Sequence, residues 1–367
     1  MNKQFSVYLD AVRFFAAFVV FASHLAYERF TEGRYLWIRE LNLGSDAVVI
    51  FFVLSGFLIA HSIREKDASY GRYVFNRMTR LYSVVFPALI LTFVFDAIGR
   101  GQESELYVPP WYMDLSLPQI LVHGLSFSNE FWFAIVRLGS NGPLWSLSYE
   151  FMYYMIFGVY VFMRGFERIG LILLLCLISG PAILMLMPIW FMGVLVYSFT
   201  KNHVFSLSRF YALVLTLVPL ILYMFFLTIK LPDFLMQLTL LWFGEDVVAS
   251  VFRFSDEFIW NAIIGVLFGL HLFGAYHLCL LRQESSEKAV SRFIRWLAGG
   301  SFTLYVVHYP ALMMMQSFAI WEGLTHDLYL CVSVLVICYL CAAFSERQLG
   351  PLRRLLQKTI PSKKAQA

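Results

Sequence analysis

Long apolar segments follow one another along almost the whole chain, and they limit its fold more than any other feature. Hydrophobic residues make up 60% of the 367 residues and charged residues only 14%. A soluble protein of this size needs more charge to cover its surface, so these values exclude a soluble enzyme, a disordered protein and a nucleic-acid-binding protein. We predict an all-α polytopic membrane protein whose solvent is the lipid bilayer. Ten predicted spans cover residues 9–27, 45–63, 78–97, 143–163, 169–187, 188–199, 210–229, 258–281, 299–321 and 328–346.

Two parts of this series need separate interpretation. The sixth span is short, and Pro188 at its start favours a helical hairpin over residues 169–199 that is broken at this proline. Residues 234–244 are apolar but too short to cross a bilayer, which favours an interfacial or re-entrant helix. We expect an integral membrane domain over residues 1–355 and a short basic cytoplasmic tail over residues 356–367.

The distribution of positive charge predicts the orientation of the spans. With both termini in the cytoplasm, 20 of the 28 Lys and Arg residues lie on the cytoplasmic side and seven lie outside, while Arg13 is left within the membrane. Cytoplasmic loops of membrane proteins carry such an excess. The net charge of +4 therefore indicates orientation and not an anionic partner such as a nucleic acid. The absence of any Asn-x-Ser/Thr sequence favours a bacterial inner membrane.

Two ionisable residues, Arg13 and His24, interrupt the first span. They are 11 residues apart, so at about 100° per residue they share one helix face and lie about 16 Å apart along its axis. Ionisable groups at membrane depth are costly and usually line a cavity or a substrate path. The structural alternative is an arginine that reaches the membrane surface and a histidine buried in the core. We interpret the shared face as part of a functional site.

The second and third spans add four candidates. Asp46 opens the second span, and Ser55 lies within it among bulky apolar residues. Arg77 and Arg80 form an R-x-x-R motif at the cytoplasmic start of the third span. This motif either anchors the helix at the membrane surface or clamps phosphate, because guanidinium groups bind phosphate oxygens in a bidentate manner. Ser55 likewise suits either helix packing or ligand binding.

The fourth span begins with GPLWSLSYEF, residues 142–151, and contains a carboxylate. Glu150 lies about seven residues deep, where a buried carboxylate protonates, pairs with another group or takes part in chemistry. Trp145 and Ser148 lie near it in sequence, and Trp145 also suits the aromatic belt at a membrane surface. We include all three residues as site candidates.

The ninth span contributes Tyr305 and His308, which lie on one face and are expected to form a hydrogen bond. Packing and substrate binding are both compatible with this pair. No histidine spacing in the sequence matches a metal site, so we expect no metal.

Depth along the helices suggests which groups meet. At 1.5 Å per residue across a core of about 30 Å, His24 lies about 22 Å and Glu150 about 18 Å from the cytoplasmic side. We therefore expect His24 and Glu150 to meet at one level, beyond a cationic vestibule formed by the arginines. This arrangement is expected for moving a chemical group outward.

Six segments of the chain together resemble the acyltransferase 3 family of membrane-bound acyltransferases. The resemblance runs from residue 9 to about residue 355 in the same order, and the stretch of about 165–295 carries little motif. Its most specific pieces are the Arg13-x10-His24 spacing and FFVLSGF. The segments are LDAVRFFAAFVVFASH, DAVVIFFVLSGFLI, RMTRLY, GPLWSLSYEFMYY, FTLYVVHYP and SERQLGPLRRLL.

The resemblance implies transfer of an acyl group, commonly acetyl, from cytoplasmic acyl-CoA to a cell-envelope carbohydrate. It implies that Arg13 and His24 are essential and that Arg77 and Arg80 contact the CoA. No permanently bound cofactor is implied, because acyl-CoA is a substrate. The partners expected are acyl-CoA, a carbohydrate or lipid-linked glycan acceptor, and the bilayer.

We therefore predict a membrane-bound O-acyltransferase. His24 acts as a general base on a sugar hydroxyl, or as the nucleophile of an acyl-histidine relay, and Glu150 or Asp46 orients it. Arg13 guides the thioester or stabilises charge in the cavity. The main alternative is a multi-pass transporter or flippase that uses the same Arg, His and Glu residues as a substrate or proton site. A non-catalytic scaffold for polysaccharide assembly is a third hypothesis.

Labelling of single cysteines tests the predicted orientation. In a cysteine-free background, cysteines near residues 105 and 240 should react with a membrane-impermeant reagent added to intact cells, and cysteines near residues 68 and 287 should not. The reason is the excess of positive charge on the predicted cytoplasmic side. The opposite labelling pattern would overturn both the orientation and the direction of transfer that depends on it.

Overall fold

The structure, a computed structural model, describes residues 2–67, 69–132, 134–201, 207–281 and 289–359. These residues form helices and connecting loops, with no β-strand among them. Fourteen of the helices have ten or more residues. They are α1 Lys3–Leu25, α2 Leu43–Lys66, α3 Tyr70–Gln102, α4 Leu117–Ser126, α5 Trp145–Phe162, α6 Gly165–Ser179, α7 Pro181–Lys201, α8 Arg209–Thr228, α9 Leu231–Phe243, α10 Phe258–Leu280, α11 Ala289–Ala298, α12 Ser301–Gln316, α13 Gly323–Phe344 and α14 Leu349–Thr359. Shorter turns of helix cover Glu28–Thr31, Leu36–Glu40, Ser104–Leu106, Gly142–Leu144, Glu245–Val247, Val248–Phe252, Arg253–Ser255 and Glu346–Gln348.

Seven helical segments of the described chain are long and apolar enough to cross a membrane. This confirms the prediction of an all-α protein with many apolar spans, while the count of ten and the cytoplasmic termini stay predictions. Three predicted spans correspond to helices that are not among these seven segments. They are α5, α6 and α12, which have 18, 15 and 16 residues. Some predicted cytoplasmic positive charges lie outside the described residues, as does most of the predicted tail. The charges are those of Arg282, Lys288, Lys363 and Lys364, and the part of the tail is residues 360–367.

The predicted hairpin over residues 169–199 is broken at Gly180, and the prediction of a break at Pro188 is wrong. Helix α6 ends at Ser179, Gly180 adopts a φ of +81°, and α7 begins at Pro181. Glycine tolerates a positive φ, and proline suits the first turn of a helix because its missing N–H would be unpaired there. Pro188 lies inside α7, since an apolar helix packed among other helices tolerates an internal proline.

Helix α12 lies at the centre of the bundle, where it contacts α1, α3 and α13. Thirteen of its 16 residues are buried. Helix α8, by contrast, packs mainly on α10 and exposes most of its apolar side chains, as a lipid-facing helix does. The polar residues of α12 therefore face other helices, which makes its interfaces with α1 and α3 the natural place for a site.

Helices α2 and α7 approach each other closely at two glycines. A Cβ atom on Gly193 would lie 1.9 Å from the carbonyl oxygen of Val53, and one on Gly56 would lie 2.0 Å from that of Trp190. Small residues allow helix backbones in membranes to pack at such short range. This contact fixes the position of α2, which carries Ser55.

The substitution Gly193→Ala should therefore destabilise the protein. The added methyl group meets backbone atoms, so the helices must separate, at a cost of about 1–3 kcal/mol. The matched control is Gly170→Ala, because a Cβ at Gly170 meets nothing within 4 Å. Thermal unfolding of the purified variants in detergent measures the difference, and equal melting temperatures would contradict the close approach of α2 and α7.

The loop before α5 is held against the bundle by polar contacts. Asp96 on α3 accepts hydrogen bonds from the Ser140 backbone N–H (2.8 Å) and hydroxyl (2.5 Å), and Asn141 donates to the carbonyl of Val306 on α12 (2.9 Å). Glu130 forms a buried ion pair with Arg253 at 3.0 Å. Burial raises the pKa of Glu130 to about 7, although the Arg253 guanidinium acts to lower it. These contacts set where α5 enters the bundle.

Candidate active site

A wide cavity opens at the end of the bundle where α1 begins. Its volume is about 1100 Å³, which is enough for a cofactor-sized ligand. Its wall carries more cations than acids, and the acids are Asp10, Glu65 and Glu346. We call it the basic vestibule. The arginines that line it are Arg13, Arg72, Arg77, Arg80, Arg295, Arg347 and Arg353.

A narrower cavity of about 70 Å³ lies next to the basic vestibule, deeper in the bundle. Arg13, Leu58, Arg80 and Phe302 line both spaces, so the two cavities share a wall at these residues. We call the narrower space the inner cavity. The polar residues of its wall beyond the two arginines are Ser55, Ser146, Glu150, Tyr154, Ser301 and Tyr305.

Arg13 is held at the junction of the two cavities. Its guanidinium lies 3.6 Å from Asp10 and 3.6 Å from Glu346, and it donates to the Ser301 hydroxyl at 3.3 Å. Two carboxylates thus offset the cost of an arginine inside an apolar bundle. The Arg13 side chain stays 19% exposed, so a ligand in the vestibule can reach it.

The two arginines of the R-x-x-R motif have different surroundings. Arg77 is buried, donates to the Ser62 hydroxyl at 2.8 Å and lies 3.5 Å from the Asp67 carboxylate. Arg80 is half-buried, and its guanidinium has no hydrogen-bond or ion-pair partner within the described part of the chain. Arg77 therefore fixes the end of α2 against α3, whereas Arg80 is available to a ligand.

Glu150 and Ser55 form a polar cluster on the wall of the inner cavity. Glu150 accepts a hydrogen bond from the Ser55 hydroxyl at 2.5 Å and another from the Tyr154 hydroxyl. The Trp190 indole N–H donates to Ser55 at 3.1 Å. The expectation that Glu150 meets His24 is wrong, because depth along two helices does not fix their lateral position and Glu150 faces α2.

His24 instead contacts His308 of α12, with His24 Nδ1 and His308 Nε2 2.9 Å apart. His308 Nδ1 lies 2.8 Å from the carbonyl oxygen of Leu304, which can only accept, so this nitrogen carries a proton. With both rings neutral, His308 Nε2 is then the acceptor and His24 Nδ1 the donor. This tautomer leaves His24 Nε2 unprotonated. The spacing of Arg13 and His24 predicts their common face, and both side chains do contact α12.

Tyr305 lines the inner cavity and is not hydrogen-bonded to His308. The two ring centroids are 6.4 Å apart. The Tyr305 hydroxyl pairs with Ser146 at 2.5 Å and donates to the Pro143 carbonyl at 3.0 Å. The expected Tyr305–His308 hydrogen bond is therefore wrong, since these groups each have nearer partners on other elements.

Three other candidates lie away from both cavities. Asp46 accepts from the Tyr223 hydroxyl (2.6 Å) and the Trp260 indole (3.0 Å), so it does not orient His24. Ser148 is fully buried and donates to Asn129 at 2.7 Å. Trp145 stacks on Phe254 with ring centroids 4.5 Å apart. Each of the three stabilises contacts between elements, and none lines a cavity wall.

Comparison with known protein families shows the family to which the chain belongs. A model of the acyltransferase 3 domain, described as "Acyltransferase domain", matches residues 6–343. The chain belongs to the acyltransferase 3 family. The resemblance seen in the sequence motifs is thereby confirmed. No solved structure matches the chain at a significant level.

Relatives within this family cover different parts of the chain. It is 33% identical to "Acyltransferase MdmB" of Streptomyces mycarofaciens over 41% of this chain and 37% of that protein. It is 29% identical to "O-acetyl transferase" of Shigella phage Sf6 over 46% of this chain and 50% of the other. With "Putative peptidoglycan O-acetyltransferase YrhL" of Bacillus subtilis (strain 168) it shares 26% identity over 83% of this chain and 48% of that protein. The chain thus matches half or less of each relative's length.

Three residues of the candidate site have no role predicted from the sequence. Glu346 contacts Arg13, Arg353 lines the vestibule and donates to the Asn76 carbonyl at 2.8 Å, and Tyr154 binds Glu150. The family segment SERQLGPLRRLL contains both Glu346 and Arg353, so this segment could have indicated both residues as site candidates. In the described ranges, no three His, Cys, Asp or Glu side chains lie together as metal ligands would.

Proposed function

We propose that this chain is a membrane-bound O-acyltransferase that moves an acyl group, most simply acetyl, from cytoplasmic acyl-CoA to a hydroxyl of a cell-envelope carbohydrate. The observation that carries the proposal is that the basic vestibule and the inner cavity adjoin, with Arg13 and Arg80 lining both. The names of the acyltransferase 3 relatives support the same chemistry. On this proposal the vestibule faces the cytoplasm of a bacterium, and the chain lies in its inner membrane.

The vestibule suits the nucleotide end of CoA. Its arginines are the residues best adapted to bind phosphate oxygens, because the planar guanidinium donates two parallel hydrogen bonds. Arg80 has no competing partner among the described residues, so it is the first candidate for a phosphate contact. Arg13, at the mouth of the inner cavity, would then meet the thioester end of the donor.

The inner cavity suits a short acyl group. Its volume of about 70 Å³ and its lining by Phe51, Phe52 and Tyr305 leave little room beyond a few heavy atoms, which supports acetyl over a long acyl chain. The acyl carbon would stop beside Tyr305. A change in the side-chain torsions of Tyr305 would open the inner cavity to the His24–His308 pair.

His24 is the proposed general base. Its unprotonated Nε2 takes the proton of the acceptor hydroxyl while the hydroxyl oxygen bonds to the thioester carbon. The carbon–sulfur bond then breaks, and the CoA thiolate takes the proton from the His24 imidazolium. Proton and leaving group therefore balance without any further reactant.

His308 acts as a positioning residue in this scheme. Its Nε2 accepts the His24 Nδ1 proton, which holds the His24 ring in one tautomer and stabilises the imidazolium that forms. The carbonyl of Leu304 holds His308 in turn. In an acyl-histidine relay, the same His24 Nε2 would instead carry the acyl group, and intact-protein mass after mixing with donor alone separates the two mechanisms.

The substitution Arg80→Ala should weaken the binding of CoA. Loss of a charge-assisted hydrogen bond to phosphate costs about 1.5–3 kcal/mol, or about 10- to 150-fold in affinity. Titration calorimetry with purified protein and CoA measures this change, and the melting temperature of the protein should hardly change.

Arg77→Ala is the matched contrast within the same motif. It should lower the melting temperature, because it leaves the buried Asp67 carboxylate without its cation. If wild type and Arg80→Ala bind CoA with equal affinity, Arg80 does not contact the phosphates and instead anchors the helix at the membrane surface.

The substitutions His24→Ala and His24→Gln should both abolish acyl transfer while yield stays near wild type. A general base contributes about 10²–10⁴-fold to the rate, and glutamine keeps hydrogen bonding but cannot accept a proton at neutral pH. Mass spectrometry of surface glycans from cells that express each variant measures transfer.

His271→Gln is the control for removing a histidine from the bundle. His271 lies 2.7 Å from the Thr216 carbonyl and contacts Tyr8, and it lines neither cavity. This variant should transfer acyl groups in proportion to the amount of folded protein. Near wild-type transfer by His24→Gln would show that His24 is not the base and would make His308 the next candidate.

A further inference from the structure

A third pocket lies beyond the end of α1, on the opposite side of the His24–His308 pair from the inner cavity. Its volume is about 480 Å³, and we call it the distal pocket. Its position is set by the two turns that follow α1, Glu28–Thr31 and Leu36–Glu40, and by the loop that carries Trp111. The residues that line it are Tyr27, Glu28, Arg29, Leu36, Arg39 and Trp111.

Two aromatic rings and two guanidinium groups make up most of this wall. The rings of Tyr27 and Trp111 meet edge to face, with centroids 4.7 Å apart. Arg39 lies 4.1 Å from the centre of the Tyr27 ring, and Arg29 lies 5.2 Å from that of Trp111. The flat C–H faces of sugar rings pack on aromatic rings arranged in this way, and the arginines add affinity for anionic oxygens.

Several hydrogen-bond donors at this place lack acceptors. Arg29 donates to the Leu106 carbonyl through Nη2 at 2.5 Å, but its Nε and Nη1 are buried and unpaired among the described residues. The buried hydroxyl of Tyr309 lies beside this guanidinium and has no other partner within the described ranges. Buried polar atoms are almost always paired, so such a cluster calls for an explanation. A ligand that supplies oxygen atoms would satisfy these donors.

The net charge of the distal pocket favours an anionic ligand. Among the described residues that line the pocket, Arg29 and Arg39 are accompanied by one carboxylate, that of Glu28, which is solvent-exposed. Arg137, whose field acts on both His24 and Tyr309, has no hydrogen-bond or ion-pair partner in the described part of the chain. An anion here would meet cations that the fold does not neutralise.

The distal pocket is close enough to His24 to deliver a hydroxyl group to it. The His24 ring centroid lies 5.8 Å from that of Tyr27, which lines the pocket, and 5.2 Å from that of Tyr309. Arg39, on the same wall, also donates to the hydroxyl of Ser23, the residue before His24, at 3.2 Å. Donor and acceptor would thus approach the histidine pair from opposite ends of the bundle.

We propose that the distal pocket binds the acceptor as an anionic carbohydrate, with a sugar ring on Trp111 and a carboxylate or phosphate on Arg29 and Arg39. The identity of this ligand as the acceptor rests on the acyl transfer proposed above, whereas the binding itself does not. The carboxylate of a uronic acid and the phosphate of a glycosyl phosphate share this chemistry, and suitable probes tell them apart.

Binding to the purified full chain in nanodiscs, without any acyl donor, tests the proposal. The probes are digalacturonic acid, glucose 1-phosphate and the neutral sugar maltotriose. The wild type should bind one of the two charged probes at least about tenfold more tightly than maltotriose, as expected for one or two charge-assisted hydrogen bonds. The probe that binds more tightly identifies the anionic group of the acceptor.

Substitutions assign this binding to the distal pocket. Arg39→Gln should weaken the binding of the charged probe by about tenfold or more and leave the binding of maltotriose unchanged. Arg39→Lys should restore part of the lost affinity. Trp111→Ala should weaken the binding of all three probes, and Trp111→Phe should weaken it less. Lys230→Gln removes an exposed cation that does not line the pocket and should change nothing.

The outcomes separate this proposal from the proposed function. If neither charged probe binds more tightly than maltotriose, or if Arg39→Gln and Trp111→Ala bind as the wild type does, the distal pocket is not an anionic carbohydrate site. Acyl transfer to surface glycans, measured by mass spectrometry in cells that express the wild-type chain, tests the acyltransferase chemistry separately. Binding that depends on Arg39 and Trp111 in a chain that transfers no acyl group would support the pocket and refute the function.

Discussion

The carboxylate of Glu346 fixes the relation between the two helices that carry most of the site. It accepts hydrogen bonds from the backbone N–H groups of Phe302 (3.1 Å) and Thr303 (3.0 Å) in the first turn of α12, and it lies 3.6 Å from Arg13 on α1. N–H groups at a helix start lack partners and carry partial positive charge, so a carboxylate is stabilising there. One group thus caps α12, balances Arg13 and sets the register in which His308 faces His24.

The same requirement for partners separates structural from available charges elsewhere in the bundle. Asp46 accepts from Tyr223 and Trp260, and Arg77 is bound to Ser62 and Asp67, so each of these charged groups has partners within the fold. A buried charge without such partners is costly. Arg80, which has none among the described residues, borders the vestibule, where water or a ligand can solvate it. The pattern of satisfied and unsatisfied groups therefore marks the path that a charged substrate can take.

Sequence patterns predict those features that depend on one helix at a time. The common face of Arg13 and His24 follows from the helical repeat alone, and the apolar segments follow from their length and composition. Contacts between helices depend on lateral packing, which hydropathy does not encode. Glu150 and His24 therefore have different neighbours from those expected. The hairpin breaks at Gly180 because a positive φ ends a helix more effectively than the internal Pro188.

A pair of histidines suits a base inside an apolar bundle better than a histidine and a carboxylate. A carboxylate beside His24 would carry its own charge before the reaction and would have to be buried at a cost of several kcal/mol. Neutral His308 carries none, yet its Nε2 accepts the His24 Nδ1 proton at 2.9 Å and so selects the tautomer with a free Nε2. In the proposed mechanism, charge develops on His24 only when it takes a proton from the acceptor. Glu150 is already bound by Ser55 and Tyr154, so under this proposal the histidine pair stays uncharged until the acceptor hydroxyl gives up its proton.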